Sequence, residues 1–224
     1  MNMTYSVAIP AYNAARTIQE TVSSVLNQTV PPCEIVVVDD GSSDATAEIV
    51  NQFGGCVRII QQANTGCGAA TNAAIAATNA MLVAAVDADD VWLPHKMERQ
   101  LARLAQLGAD AVVFSKMRQF RHDNPDRSSG DEPDAWSRST MLLHRATFNR
   151  VGPIIDPPGN CGEMVDWIAR ARHLGLQTDM MPEVLALRRI ISGSMTFNLG
   201  DDQRRAYLSV ARAALLRRRK ASQQ

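Results

Sequence analysis

Met81-Leu-Val-Ala-Ala-Val-Asp-Ala-Asp-Asp90 is the stretch whose reading decides the fold. An apolar run stops abruptly on three acids. A short continuous apolar run suits a strand buried on both faces, as in a parallel sheet. The acids then lie at its carboxyl end, where ligands bind in open α/β sheets. Asp87 and Asp89, two residues apart, could converge on one hard cation, which would in turn hold an anionic group such as a diphosphate. A solvated acidic turn is the competing reading of the same residues.

Upstream, the pattern of that strand is repeated. Tyr5-Ser-Val-Ala-Ile9 reads as a strand ended by Pro10, followed by a loop over 10–14. Ile18, Thr21, Val22, Val25 and Leu26 recur at helical spacing. Pro31-Pro32 stops that helix, and Glu34-Ile-Val-Val-Val38 is a second buried strand running into Asp39-Asp40-Gly41-Ser42-Ser43-Asp44. Ser42, Ser43 or Asp44 could cap the helix that follows. A third strand is expected over 57–60. Right-handed crossovers place the loops of these units at one edge of one sheet. Asn64-Thr-Gly-Cys-Gly-Ala-Ala-Thr-Asn72 opens an alanine-rich helix. Its Gly-x-Gly lacks the third glycine of a dinucleotide fingerprint, Thr71 standing there, so its small residues are read as letting the helix start lie close to a ligand or to the sheet.

Downstream, a helix from about Pro94 to Gly108 and a strand over 111–114 are expected. Residues 118–134 are polar and aperiodic and read as a loop, either a lid or acceptor-binding segment or a plain insertion. Helical spacing returns over 163–174, and a last strand is expected over 184–187, followed by Arg188-Arg189. Residues 201–220 read as an amphipathic helix with a basic end, Arg217-Arg-Arg-Lys220, which either touches anionic lipid or a partner at the membrane periphery or is simply solvated.

Composition narrows the class. With 224 residues, 46% of them apolar, the chain suits one large α/β domain. Its 23 basic and 23 acidic residues cancel, which argues against a nucleic-acid-binding protein. Cys33, Cys56, Cys67 and Cys161 form no Cys-x-x-Cys pair, so neither zinc nor a disulfide framework is indicated. No transmembrane segment and no secretory leader is expected, and the reading is a soluble, cytoplasmic protein.

Val7-Ala-Ile-Pro-Ala-Tyr-Asn13, Val36-Val-Val-Asp-Asp-Gly-Ser-Ser-Asp44 and Val86-Asp-Ala-Asp-Asp90, taken together, resemble the family 2 glycosyltransferases over roughly residues 5–196. The resemblance implies a GT-A fold, a Rossmann-like nucleotide-diphospho-sugar transferase architecture with a mainly parallel central sheet. It implies a nucleotide-sugar-binding half (1–115), a variable acceptor-binding half (116–200) and, beyond them, the basic helix of 201–224. It also implies inverting transfer of a sugar from a nucleotide diphosphate to an acceptor hydroxyl, assisted by Mg²⁺ or Mn²⁺. On this likeness Asp87 and Asp89 hold the metal, with Ala88 between them. Pro10, Ala11, Tyr12 and Asn13 lie against the nucleoside, Asp40 with Asp39 reads the base, and Asn64, Gly66 and Thr71 belong to the third donor loop. A carboxylate accepting from an imide N–H favours uracil or thymine over cytosine, hence a UDP- or dTDP-sugar.

Three departures stand out. Relatives carry a Glu-Asp pair at the start of the helix near residue 163, with the Asp as base; here Met164 occupies that place. Asp166 is the first choice to take over as base and Glu163 the second, although Asp166 could equally be a mere i,i+4 partner of Arg170. Thr71 replaces an arginine, and Ile191 replaces a histidine near the metal; Arg188 or Arg189 could compensate. The rival readings are a catalytically degenerate nucleotide-sugar-binding protein and an unrelated Rossmann oxidoreductase. The acceptor, whether glycan, lipid, peptide or natural product, has no local signature.

Overall fold

A computed structural model describes residues 3–124, 126–157 and 162–191. The helix expected over 201–220 lies outside these residues, as does Cys161. The chain forms β1 (Tyr5–Ala11), α1 (Ile18–Leu26), β2 (Glu34–Asp39), α2 (Thr46–Asn51), β3 (Val57–Gln61), α3 (Cys67–Ala77) and β4 (Leu82–Ala85). It continues through β5 (Val91–Trp92), α4 (Lys96–Leu107), β6 (Ala111–Arg121), β7 (Asp134–Ala135), a 3-10 turn (Arg138–Thr140), β8 (Leu142–His144), α5 (Arg145–Val151), α6 (Glu163–His173) and β9 (Gln177–Ile190).

One sheet organises all of it, in the order β3-β2-β1-β4-β8-β6-β9-β5, with β7 on β6. The strands β3, β2, β1 and β4 run parallel. β8 is antiparallel to both β4 and β6, β6 and β9 are parallel, and β5 turns back on β9. The sheet is therefore mixed, its longest paired runs parallel. β1 has β2 on one side and β4 on the other, which makes the gap between β1 and β4 the point where strand order reverses. Ligand crevices open there in doubly wound sheets.

Alternation along the strands sends side chains to two cores. Val7, Ile9, Ile35, Val37, Leu82 and Ala84 face α1 and α4. Ala8, Val36, Val38, Val83 and Ala85 face α3, α5 and α6, where Phe148 stacks on the fully buried Trp167 at 5.7 Å. β4 is apolar and buried at every position because both its faces are covered.

The second half departs from expectation. β6 continues through Arg121, into the segment read as loop, because β9 pairs with it along its whole length. β9 itself begins at Gln177, well before the four residues expected. Pro182, which has no N–H for the ladder, falls where the pairing register shifts between Ser115 and Lys116, so the interruption is absorbed as a bulge. Among the described residues no helix is long and apolar enough to cross a membrane.

Lys96 is fully buried at the start of α4; its Nζ donates to Gln100 Oε1 and lies 3.9 Å over the Trp92 ring. Desolvation pushes its pKa well below the ordinary lysine value. The unfolded chain keeps that proton up to about pH 10.4. Folding therefore releases a proton in the window between the two values, and stability rises with pH there. Lys96→Met, close in volume, is expected to raise the melting temperature most at low pH, with the gap narrowing as the pH rises toward about 10.4. Thermal melts across that range check it, and a gap independent of pH would contradict it.

Candidate active site

Four loops meet at the carboxyl ends of β1, β2, β3 and β4. The first is laced to the second: Asn13 N donates to Ser42 Oγ, Ser43 N to Asn13 Oδ1, and Ala15 N to Asp44 Oδ2, all within 3.0 Å. Asn13 sits at φ 49, a left-handed conformation its short polar side chain tolerates. The lacing holds Tyr12 outward with 55% of its surface exposed, directly after the buried Pro10 and Ala11. An aromatic face is thus fixed at the rim of the crevice.

Asp39 and Asp40 end β2 and are both buried. Asp39 accepts from Ser42 N at 3.1 Å and from Gln61 Nε2 at 3.3 Å. Asp40 accepts from Gln62 Nε2 (2.8 Å), Thr65 N (2.9 Å) and Gly66 N (2.9 Å), so its carboxylate organises the third loop, beside the exposed Asn64. That loop enters α3 through Gly66 at φ 99. The space beside its glycines is already filled: a Cβ on Gly66 or Gly68 would lie 2.7 or 2.6 Å from an Asp156 carboxylate oxygen. Asp156 caps α3 by accepting from Gly68 N at 2.9 Å, so the small residues admit a carboxylate of the chain itself.

After β4, Asp87 and Asp89 are partly exposed while Ala88 and Asp90 are buried, the alternation of a strand end. The turn is held from below. Thr21 Oγ1 lies 2.9 and 2.8 Å from the carbonyls of Ala88 and Asp90, Asp87 N donates to Ser139 Oγ, and Arg189 Nε donates to Asp89 O. Burial, and then the charge of Asp87, pushes the Asp89 carboxyl up to about 6. Burial and the charges of Asp89 and Asp87 push Asp90 well above the ordinary carboxylate range. Crowded carboxylates of this kind are relieved by a cation.

One resident cation is Arg138. Its Nε lies 2.6 Å from Asp87 Oδ1, its Nη2 donates to Glu163 Oε1 at 3.0 Å, and its Nη1 to Thr71 Oγ1 at 3.3 Å. Burial opposes its charge, but the carboxylates of Asp87, Glu163 and Asp156 raise its pKa above the ordinary arginine value. The contact with Asp87 is close but off the hydrogen-bond direction, leaving Oδ1 buried without an aligned donor. Cys67 is itself pushed up to about 12 by burial and stays a thiol at neutral pH.

The two base candidates part company on α6. Glu163 joins Asp87 through Arg138. Asp166 accepts from Arg170 Nε at 2.9 Å, and the same guanidinium donates to the carbonyls of Val151 and Pro153. Met164 is buried in the core beside Trp167, which accounts for its apolar character. Thr71 is fully buried and reaches the site through Arg138. Arg189 is tied to Glu20 and to Asp89 O, while Arg188 acts on Asp89 through its charge. Sequence reading missed Arg138 and Asp156, whose partners lie tens of residues away. The single signal for Arg138 is an arginine among small hydroxyl residues just ahead of an apolar run.

Asp87 and Asp89 offer two hard oxygen ligands at an unsatisfied, mutually repelling position, which suits Mg²⁺ or Mn²⁺ completed by ligand oxygens and water. Among the described residues no group of three or more His, Cys, Asp or Glu converges on one point.

Comparisons with known proteins give the family and the fold. The model of the family described as "Glycosyl transferase family 2" matches residues 6–162. An uncharacterized glycosyltransferase of Nostoc sp. is 46% identical over 101 residues, 43% of this chain and 31% of its own length. The hyaluronan synthase of Pasteurella multocida is 37% identical over 146 residues, 62% of this chain and 15% of its own length. This chain thus spans less than a third of those relatives. In three dimensions it is similar to S. aureus TarS (residues 1–349) in complex with UDP-GlcNAc, with a TM-score of 0.75 at 21% identity over 96% of this chain and 66% of that one. The same protein in complex with UDP gives a TM-score of 0.70 at 22% identity, over 84% of this chain and 61% of that one.

The pairing of Asp156 with the glycines makes a prediction about sign. Gly68→Ala in the native chain is expected to destabilise by about 1 kcal/mol by pushing the cap off α3. In an Asp156→Ala background the same change should stabilise by up to about 1 kcal/mol, because alanine is the better helix former. Urea unfolding of the four chains checks this; the same sign in both backgrounds would contradict it.

Proposed function

This chain belongs to glycosyl transferase family 2, and from that premise we propose that it transfers a sugar from a UDP- or dTDP-sugar to an acceptor hydroxyl, with inversion and with Mg²⁺ or Mn²⁺. The observation that carries the proposal is the meeting of Tyr12, Asp39, Asp40, Asp87 and Asp89 at the point where strand order reverses between β1 and β4. The Tyr12 ring, with Pro10, Ala11 and Asn13, packs on the nucleoside. Asp39 and Asp40 read an imide N–H, and Asp40 also keeps the loop of Asn64 and Gly66 in place. Asp87 and Asp89, flanking Ala88, would hold the divalent ion, which when bound supplies counter-charge for the leaving diphosphate. Residues 1–115 build this donor side and residues 116–200 the acceptor side.

An acceptor hydroxyl needs a base to take its proton. Glu163 is the better supported candidate, since one guanidinium joins it to Asp87, while Asp166 is engaged by Arg170. We therefore place Glu163 ahead of Asp166 as the base. A second reading is favoured by Met164: with an apolar residue where relatives carry the base, the chain would bind nucleotide sugars without transferring them.

One experiment separates these readings. Calorimetry with UDP is expected to give binding strengthened by Mn²⁺, and CDP is expected to bind at least about tenfold more weakly. Hydrolysis of a panel of UDP-sugars by the native chain should fall by about a hundredfold or more in Glu163→Gln, with UDP affinity retained. Asp166→Asn should keep the greater part of the activity. Binding without turnover would favour the second reading, and no binding of UDP or dTDP would end both.

A further inference from the structure

We infer that Arg138 is a positioning residue that fixes Glu163 against the donor site, an inference that rests on the reading of Glu163 as the base. Three elements converge on its guanidinium: the end of β4 through Asp87, the start of α6 through Glu163, and α3 through Thr71. The fork geometry matters. Nε lies against one carboxylate as an ion pair and Nη2 donates to the other, so the planar group sets the separation of the two acids as well as neutralising them.

The post that carries Arg138 is firm. Its 3-10 turn is capped by Ser137 Oγ, which accepts from Ser139 N, and Thr140 Oγ1 donates to Ala135 O. Trp92 Nε1 donates to Ser139 O at 2.8 Å and Gln100 Nε2 to Thr140 O at 2.7 Å. Ser139 Oγ also accepts from Asp87 N, so the turn grips Asp87 by backbone and by side chain. By contrast the first turn of α6 starts at Gly162 in a left-handed conformation, with no side-chain cap. Burial of Met164 and Trp167 holds the inner face of that turn, and Arg138 holds the face that carries Glu163. A glutamate at an uncapped helix start would otherwise sample several rotamers; an ion pair to a fixed cation selects one.

Arg138→Gln, Arg138→Lys, Glu163→Gln and the Arg138→Gln/Glu163→Gln double variant test this. Turnover of UDP-sugars by Arg138→Gln is expected to fall by about tenfold or more with UDP affinity within about threefold, the split that a positioning role requires. Arg138→Lys keeps charge without the fork and should lie between Arg138→Gln and the native chain. The double variant should be no slower than Glu163→Gln alone. Losses that multiply, or unchanged turnover in Arg138→Gln, would overturn the inference. Urea unfolding of the same cycle gives an independent readout: the two substitutions should be coupled, and additive losses would overturn the inference whatever the activity. Coupled variants of a chain that binds UDP yet turns over no UDP-sugar would overturn instead the assignment of Glu163 as base.

Discussion

A strand covered on both faces cannot accept a carboxylate, and that constraint shapes the molecule. β4 lies between β1 and β8 with every side chain out of water, and the chain reaches three acids as soon as it leaves the sheet. The apolar run fixes how far the strand extends, and the acids fix where the crevice begins. Everything placed near them serves either to tolerate their charge or to use it.

Tolerance comes from partners brought in by distant segments. Thr21 from α1 and Ser139 from the turn before β8 hold the backbone around Asp87 to Asp90. The long pairing of β6 with β9 carries Arg189 back to Asp89 and on to Glu20. Arg138 stands on the other side. Asp89 nevertheless keeps a raised pKa, so its charge is incompletely neutralised by these partners. Incomplete satisfaction of buried charge is costly in a core and is kept at sites that bind.

The parts of this arrangement that could be read in the sequence are those imprinted by two-sided burial. Val36 to Val38 and Leu82 to Val86 are apolar without a gap, and the acids that follow them mark the same sheet edge. The family 2 motifs sit on those strand ends, which is why the family was legible. β9 was largely hidden because Pro182 and Glu183 interrupt its pattern at a bulge, and β6 because Lys116, Arg118 and Arg121 look like loop residues until β9 covers them. Arg138 and Asp156 could not be assigned from local pattern, since their partners lie 25 to 88 residues away. The sequence reading ranked Asp166 above Glu163, and in the structure each meets a different arginine.

We propose that the acids after β4, with the Tyr12 rim, form the donor site. Anomalous diffraction at the manganese edge, from crystals grown with UDP and Mn²⁺, tests it most directly. One strong manganese peak is expected beside the carboxylates of Asp87 and Asp89, with the uracil at Tyr12 and Asp40. UDP bound at that rim with manganese elsewhere, or UDP bound away from the gap between β1 and β4, would contradict it.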